Sequence, residues 1–127
     1  LQIGFVAFSP MANGFLTDRY GKGEQFDSKY DYRAVMPQFT DTAIEQNDVL
    51  LSLLRRIAAN KNATPAQISL AWILGMRPWI VPIPGTRKEE RMLENIGASN
   101  IELTASEIKS IVDALDSMKL SKVFGCN

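Results

Sequence analysis

The sequence contains no histidine and one cysteine, Cys126, among its 127 residues. A single cysteine excludes an internal disulfide framework and is compatible with a reducing cytosol. No apolar run is long enough to span a bilayer, and the sequence does not open with the charged, apolar and small-residue order of a signal peptide. From these absences we expect a cytoplasmic protein that does not bind to membranes.

An excess of charge of either sign is also lacking. Lys and Arg together number 14, Asp and Glu together also number 14, and the formal net charge is zero. This balance gives no overall field that would attract nucleic acid or an anionic membrane, so we expect neither as a partner. Any site for an anion must therefore be built locally. The hydrophobic share of 46% is enough for one core.

Two short apolar segments have the character of strands in a parallel sheet. Residues 4–8 (GFVAF) are continuously apolar, which predicts a strand covered on both faces. Residues 79–83 (WIVPI) form a second candidate strand, kept short by prolines that lack a ladder donor. Because the sequence starts at Leu1 and reaches a strand almost at once, we expect a fragment of a larger domain.

Four segments have helical signals, and a long loop of residues 10–42 precedes them. Residues 47–61 place apolar side chains at helical spacing, namely Val49, Leu50, Leu53, Leu54, Ile57 and Ala58, which predicts that these form the apolar face of a helix. The segment TPAQ predicts a capping box in which Thr64 caps the next helix and Gln67 reaches back, and Gly75 predicts the end of that helix. The segments TRKE (residues 86–89) and TASE (residues 104–107) predict two more capping boxes.

Strands that alternate with helices predict right-handed βαβ crossovers and a parallel sheet. Two strands alone make a poor sheet, because both of its edges would be open. A barrel of eight such units needs roughly 250 residues, and this chain has about half of that. The predicted fold class is therefore α/β, with a parallel sheet that two strands leave incomplete.

The segment IPGTRKEERMLEN (residues 83–95) places three cations where the dipole of an opening helix disfavours positive charge. Two explanations stay open on the residues alone. The cations pair with nearby glutamates on the helix surface, Arg87 with Glu90 or Glu94. Alternatively, Arg87 and Arg91, which are one turn apart and share a face of the predicted helix, hold a phosphate together with backbone donors after Gly85 and the Thr86 hydroxyl.

Three segments together resemble a known family. GFVAFSPMANGFLT, TPAQISLAWIL and VPIPGTRKEERMLENIGA, in that order and at these separations, are similar to the C-terminal part of aldo-keto reductases, which are NADPH-dependent (β/α)8-barrel enzymes. The resemblance covers nearly the whole chain and favours the phosphate site. It implies an α/β fold that is the C-terminal portion of a TIM (β/α)8 barrel, incomplete in this chain. Residues 1–127 would then form a C-terminal fragment of a single barrel domain and carry its cofactor-binding half.

The resemblance also implies which residues bind NADP(H). One group follows the first strand, where Phe8 would stack on the nicotinamide and Ser9, Met11 and Asn13 would lie along the pyrophosphate. The other group follows the second strand. There Gly85, Thr86, Arg87 and Arg91 would surround the 2′-phosphate of the adenosine ribose, and Glu94 and Asn95 would bond the adenine.

For the whole protein the resemblance implies hydride transfer from the nicotinamide to a small-molecule carbonyl substrate, an aldehyde or ketone. The family's catalytic Asp, Tyr, Lys and His belong to earlier strands of the barrel. This sequence has no histidine, and Tyr20, Tyr30 and Tyr32 lie in the long loop, so no catalytic residue and no metal ligand is assigned to it. We expect the missing N-terminal half of the barrel to be its partner and the fragment alone to be inactive.

Two alternative functions stay open at this point. Some barrels of this family serve as non-catalytic or regulatory subunits that keep the dinucleotide as a bound sensor. A plainer possibility is a packing module that binds nothing until the remaining strands are present. Sequence from the missing half would discriminate between an enzyme and a binding subunit.

Several aromatic residues have more than one possible role. Phe26, Tyr30 and Phe39 form either a clasp over the cofactor or hydrophobic pins for a surface loop. The two tryptophans, Trp72 and Trp79, are expected in the core. Phe124 and the tail either line a substrate pocket or form a disordered terminus.

Overall fold

The computed structural model describes residues 3–117, which form two β-strands, four α-helices and short 3₁₀ turns. The strands are β1 (Phe5–Phe8) and β2 (Ile80–Ile83), and the helices are α1 (Asp41–Lys61), α2 (Pro65–Met76), α3 (Glu89–Gly97) and α4 (Ala105–Ser117). The 3₁₀ turns span Ala12–Thr17, Tyr32–Val35, Pro37–Phe39 and Ala98–Asn100. Phe124, for which a pocket role is an expectation, lies outside the described residues, as does Cys126.

The strands β1 and β2 pair in parallel, with Phe5 opposite Ile80 and Phe8 opposite Ile83, which confirms the predicted parallel pairing. The prediction that the first strand is covered on both faces is wrong for this chain. Phe5, Phe8 and Val81 are all more than half exposed. Their exposure follows from the size of the sheet, which has only these two strands within residues 3–117.

Helix α1 begins at Asp41, earlier than the predicted start at residue 47, and the long loop is correspondingly shorter. The earlier start has a local cause, because the hydroxyl of Thr40 accepts the N–H of Ala43 at 3.3 Å and caps the helix. Val49, predicted on the apolar face, is 64% exposed. The loop before α1 is not irregular throughout, since it contains three of the 3₁₀ turns.

Two of the three predicted capping boxes are confirmed. In α2 the hydroxyl of Thr64 accepts the N–H of Gln67 at 3.2 Å, and the Oε1 of Gln67 accepts the N–H of Thr64 at 3.0 Å. In α4 the N–H of Thr104 donates to the Glu107 carboxylate at 2.7 Å, and the N–H of Glu107 donates to the Thr104 hydroxyl at 3.2 Å. Helix α2 continues through Gly75 to Met76, one residue past the predicted end.

The buried side chains form two clusters on either side of α1. The first joins α1, α2 and α4 and contains Leu50, Leu54, Ile57, Ala58, Ile68, Ile111 and Ala114. The second joins α1 to the loop and contains Phe15, Met36, Phe39, Ile44 and Leu51. Trp72 packs against the first cluster as expected, whereas Trp79 is 53% exposed and the expectation of a core role for it is wrong.

Within residues 3–117, no helix combines the length and apolar character that crossing a membrane requires.

Candidate functional site

A cavity of about 720 Å³ opens where β1 and β2 end. Because the strands are parallel and Phe8 lies opposite Ile83, the segments that follow them leave the sheet at the same edge. The cavity lining includes every residue predicted for the site, namely Phe8, Ser9, Met11, Asn13, Gly85, Thr86, Arg87, Arg91, Glu94 and Asn95. The structure thus brings both groups of predicted residues together, and their role in binding a cofactor stays a prediction.

The first wall of the cavity is the turn after β1. Ser9, Ala12 and Asn13 all have positive φ angles, of 49°, 49° and 58°. This left-handed conformation costs residues with a Cβ roughly 1 to 2 kcal/mol each, and Asn tolerates it best. Side-chain bonding supports it here, because the Ser9 hydroxyl donates to the Oδ1 of Asn13 at 3.0 Å. The turn is therefore bent back on itself directly beside the end of β1.

The second wall is the segment between β2 and α3, and its local structure differs from the prediction. The hydroxyl of Thr86 accepts the N–H of Lys88 at 3.1 Å, and α3 begins only at Glu89. Since the hydroxyl closes this short turn, it does not cap the helix, and the capping box predicted for residues 86–89 is wrong. Arg87 consequently precedes the helix, so the prediction that Arg87 and Arg91 share a helix face is also wrong.

The later start of α3 reduces the conflict between the cations and the helix dipole but does not remove it. Glu89 and Glu90 occupy the first turn, where negative charge is favourable, whereas Lys88 is the N-cap residue and Arg91 stays in the first turn. Arg87 and Lys88 are thus on the connecting segment at the cavity, and Arg91 is on α3.

Arg91 is the half-buried cation of the site. Its guanidinium group pairs with the carboxylate of Glu94 one turn along α3. Its Nε is buried and has no hydrogen-bond acceptor among the described residues. The predicted surface pairing of Arg87 with Glu90 or Glu94 is not found among the ion pairs of residues 3–117. Glu94 forms an ion pair with Arg91 instead.

A third wall comes from the loop before α1, and of the residues in this wall the sequence offered only Tyr30 as a possible contact to the cofactor. Its lining residues are Arg19, Tyr20, Tyr30, Asp31, Tyr32 and Arg33. These positions have no periodicity or motif that marks them. They reach the cavity through long-range packing, which single-sequence patterns do not report.

The centre of this third wall is Arg33. Its Nε donates to the two oxygens of Asp31 at 2.9 and 3.0 Å, and its guanidinium carbon lies 4.7 Å from the ring centroid of Tyr20 and 4.5 Å from that of Phe26. The hydrogen bond from Arg33 lowers the pKa of the Asp31 carboxyl. Cation–π contacts of this kind fix the plane of the guanidinium group and hold the loop segment in place.

Two of the three loop aromatics have the role of hydrophobic pins, and the role of a clasp over the cofactor stays a prediction for Tyr30. The rings of Phe26 and Phe39 lie 5.0 Å apart, and Phe39 is buried in the second cluster, so both act as hydrophobic pins. Tyr30 is instead exposed and lies at the cavity.

Comparison with known proteins identifies the family. A family model described as the Aldo/keto reductase family matches residues 1–116. The chain belongs to the aldo/keto reductase family. Its sequence is 36% identical over 111 residues to the aldo-keto reductase str7 of Strobilurus tenacellus, an overlap of 87% of this chain and 33% of the relative. It is 34% identical over 119 residues to the NADP(+) aldo-keto reductase yakc of Schizosaccharomyces pombe, 94% of this chain and 35% of the relative.

A solved structure of the same fold gives a similar picture. The glycerol dehydrogenase AKR11B4 of Gluconobacter oxydans superposes with a TM-score of 0.78 over 96% of this chain and 37% of its own, at 19% identity. At that identity the likeness shows the fold alone. In sequence, the chain spans about a third of the length of the two curated aldo/keto reductases named above.

Proposed function

We propose that this chain supplies the NADP(H)-binding segments of an NADP-dependent aldo-keto reductase that reduces aldehydes or ketones. The observation that carries the proposal is the cavity at the ends of two parallel strands, which is lined by all the predicted residues. A relative with 34% identity whose name includes NADP(+) supports the choice of cofactor. We further propose that residues 1–127 are the C-terminal part of one barrel domain.

The side chains at the α3 side of the cavity suit the 2′-phosphate of NADP(H). Arg87 and Lys88 are exposed at the rim, and Arg91 offers a buried Nε–H that has no acceptor within the described residues. The planar guanidinium groups of such residues match the oxygens of a phosphate dianion well. Glu94 and Asn95 are half-buried beside them and offer an acceptor and an amide to the adenine edge.

The β1 side of the cavity suits the other end of the dinucleotide. The Phe8 ring at the end of β1 is mostly exposed and would give the nicotinamide an apolar face to stack on. The carbonyl end of the Asn13 side chain accepts two hydroxyl donors, Ser9 and Tyr32, so the amide end is the one left to donate to a phosphate oxygen. Bound NADPH would supply the hydride that reduces the carbonyl carbon.

The partner that we propose is the remainder of the same barrel. Both edges of the β1–β2 pair are open within residues 3–117, and apolar side chains of both strands are exposed. Further parallel strands would pair with these edges and cover these side chains. Because no catalytic residue is assigned to this chain, we propose that it does not reduce carbonyls by itself. Aldehyde-dependent oxidation of NADPH by the purified chain, free of host reductases, would contradict this.

A calorimetric titration of this chain with NADP⁺ and NAD⁺ at low salt tests the proposal. We expect tighter binding of NADP⁺, and we expect Arg91→Ala to cost about 2 to 5 kcal/mol of NADP⁺ affinity, because it removes a charged contact, with little change for NAD⁺. The matched control is Arg56→Ala, which removes an exposed arginine of α1 that does not line the cavity. Equal affinities for the two dinucleotides would contradict the proposal, whereas no binding of either would show that the site needs the remaining strands of the barrel.

A further inference from the structure

The side-chain amide of Gln67 joins two helices with its two ends. Its Oε1 accepts the N–H of Thr64 at 3.0 Å, inside the capping box of α2. Its Nε2 donates to the backbone carbonyl of Glu94 in α3 at 3.0 Å. One half-buried amide therefore links the start of α2 to the last turn of the helix that carries Arg91.

The carbonyl of Glu94 is available because α3 tightens at its end. In a continuing α-helix the N–H of Ala98 would bond to this carbonyl. That N–H donates instead to the carbonyls of Asn95 and Ile96, and the chain passes into the 3₁₀ turn Ala98–Asn100. Gln67 satisfies an acceptor that the helix itself leaves open at its C-terminal end.

The backbone of α3 lies very close to the Gln67 amide at Gly97. A Cβ at this position would lie 2.7 Å from the Nε2 of Gln67, which is closer than carbon and nitrogen atoms approach without a shift. The backbone φ of Gly97 is −57°, so conformation does not require glycine there. A side chain at this position would instead force the Gln67 amide to shift.

Neither Gln67 nor Gly97 lines the cavity, whereas three residues of α3 do, Arg91, Glu94 and Asn95. The amide thus acts on the site through the helix that it holds. We propose that Gln67, seated against Gly97, is a positioning residue that fixes α3 and thereby the preference of the site for a dinucleotide with a 2′-phosphate. This inference rests on the proposed function, since it assigns Gln67 a part in that selectivity.

The variant Gln67→Glu tests the two hydrogen bonds of the amide separately. A glutamate keeps the acceptor for the Thr64 N–H and suits a capping box as well as glutamine does. It has no donor for the Glu94 carbonyl, so the link to α3 is lost. We expect the ratio of the NAD⁺ to the NADP⁺ dissociation constant to fall by about tenfold, which corresponds to about 1.4 kcal/mol.

Gly97→Ala tests the same contact from the other side and without a change of charge. Its methyl group displaces the Nε2 of Gln67, so the ratio should fall in the same direction. The matched control is Thr64→Ala, which removes the capping hydroxyl and leaves the atoms of both Gln67 amide contacts in place. We expect this control to lower the melting temperature and to leave the ratio unchanged.

The outcomes are distinguishable. A preference of the unmodified chain for NADP⁺ that both Gln67→Glu and Gly97→Ala weaken, and Thr64→Ala does not, supports the inference. An unchanged ratio in Gly97→Ala would overturn it, because a fall in Gln67→Glu alone is then the effect of the added charge. A fall of the same size in the ratio for Thr64→Ala would also overturn it, because general destabilisation would then explain the effect. An unmodified chain without preference would overturn the proposed function, and the inference would fall with it.

Discussion

The phenol of Tyr32 donates a hydrogen bond of 2.9 Å to the Oδ1 of Asn13, the oxygen that also accepts the hydroxyl of Ser9. This bond joins the loop before α1 to the turn after β1, so that two walls of the cavity meet at one atom. Asn13 holds a left-handed backbone conformation, with φ of 58°, which restricts where its side chain lies. The loop is thus positioned by the turn and by the packing of Arg33.

Tyr32→Phe keeps the ring and removes this bond. Because the side chain of Tyr32 is exposed, we expect the free energy of unfolding to fall by no more than about 1 kcal/mol. The larger effect should be local, as faster hydrogen exchange at the amides of Ala34 and Met36, which close the adjacent 3₁₀ turn. Mass-resolved exchange of this segment measures the effect.

The control for this prediction is Tyr30→Phe. The Tyr30 hydroxyl makes no hydrogen bond within the described residues, and the ring is even more exposed than that of Tyr32. Exchange at Ala34 and Met36 should be unchanged in this variant. Equal exchange in both variants would show that the bond to Asn13 does not hold the loop.

The ion pair of Asp31 and Arg33 predicts a dependence of stability on pH. The hydrogen bond from Arg33 lowers the pKa of Asp31 in the folded chain, so the unfolded chain, with a value of about 3.9, binds the proton more readily. The stabilisation is therefore complete above about pH 4 and is lost as the pH falls through the folded pKa. Asp31→Asn keeps an oxygen to accept the Arg33 N–H and removes the charge, so it isolates this contribution.

Thermal melts over a pH series check the prediction. At neutral pH the unmodified chain should melt at a higher temperature than Asp31→Asn, and the difference should shrink as the pH falls below about 4. A difference that is constant over the series would mean that the charge of Asp31 does not stabilise the fold.

The parts of the structure that could be predicted are those set by local chemistry. The boxes at Thr64 and Thr104 form because each hydroxyl and its partner three residues later satisfy one another's backbone donors. Phe8 and Gly85 line the same cavity because Phe8 ends β1, Gly85 follows β2, and the two strands are parallel.

The parts that could not be predicted involve competing local bonds or distant contacts. At Thr86 the hydroxyl is able to accept from either the second or the third N–H after it, and the structure uses the nearer one, which delays the start of α3. The cage of Tyr20, Phe26 and Arg33 assembles residues without any repeat or spacing rule. The exposure of the strands follows from the size of the sheet, which has two strands within residues 3–117 and which the apolar pattern of each strand does not report.

Leu54 and Val49 allow a direct test of the observed face of α1. Leu54 is 2% exposed in the first cluster, so Leu54→Ala should lower the free energy of unfolding by about 2 to 5 kcal/mol, through lost contacts and the cavity that it leaves. Val49 was predicted on the apolar face and is found exposed, so Val49→Ala should change the free energy of unfolding by less than about 0.5 kcal/mol. Chemical denaturation of both variants measures the two values. Similar losses would mean that α1 buries a different face.

The open sheet predicts association of the isolated chain with itself. Within residues 3–117 each strand has one unpaired edge, and Val81 of β2 is 54% exposed. Unpaired apolar edges pair with other chains, and a lysine on an edge strand opposes this. Sedimentation velocity should therefore show association that grows with concentration and that Val81→Lys reduces. Val35→Lys is the control, because Val35 is 83% exposed but lies in a 3₁₀ turn outside the sheet. Equal effects of both lysines would indicate general repulsion between charged chains, and a monomer at every concentration would show that the edges do not pair.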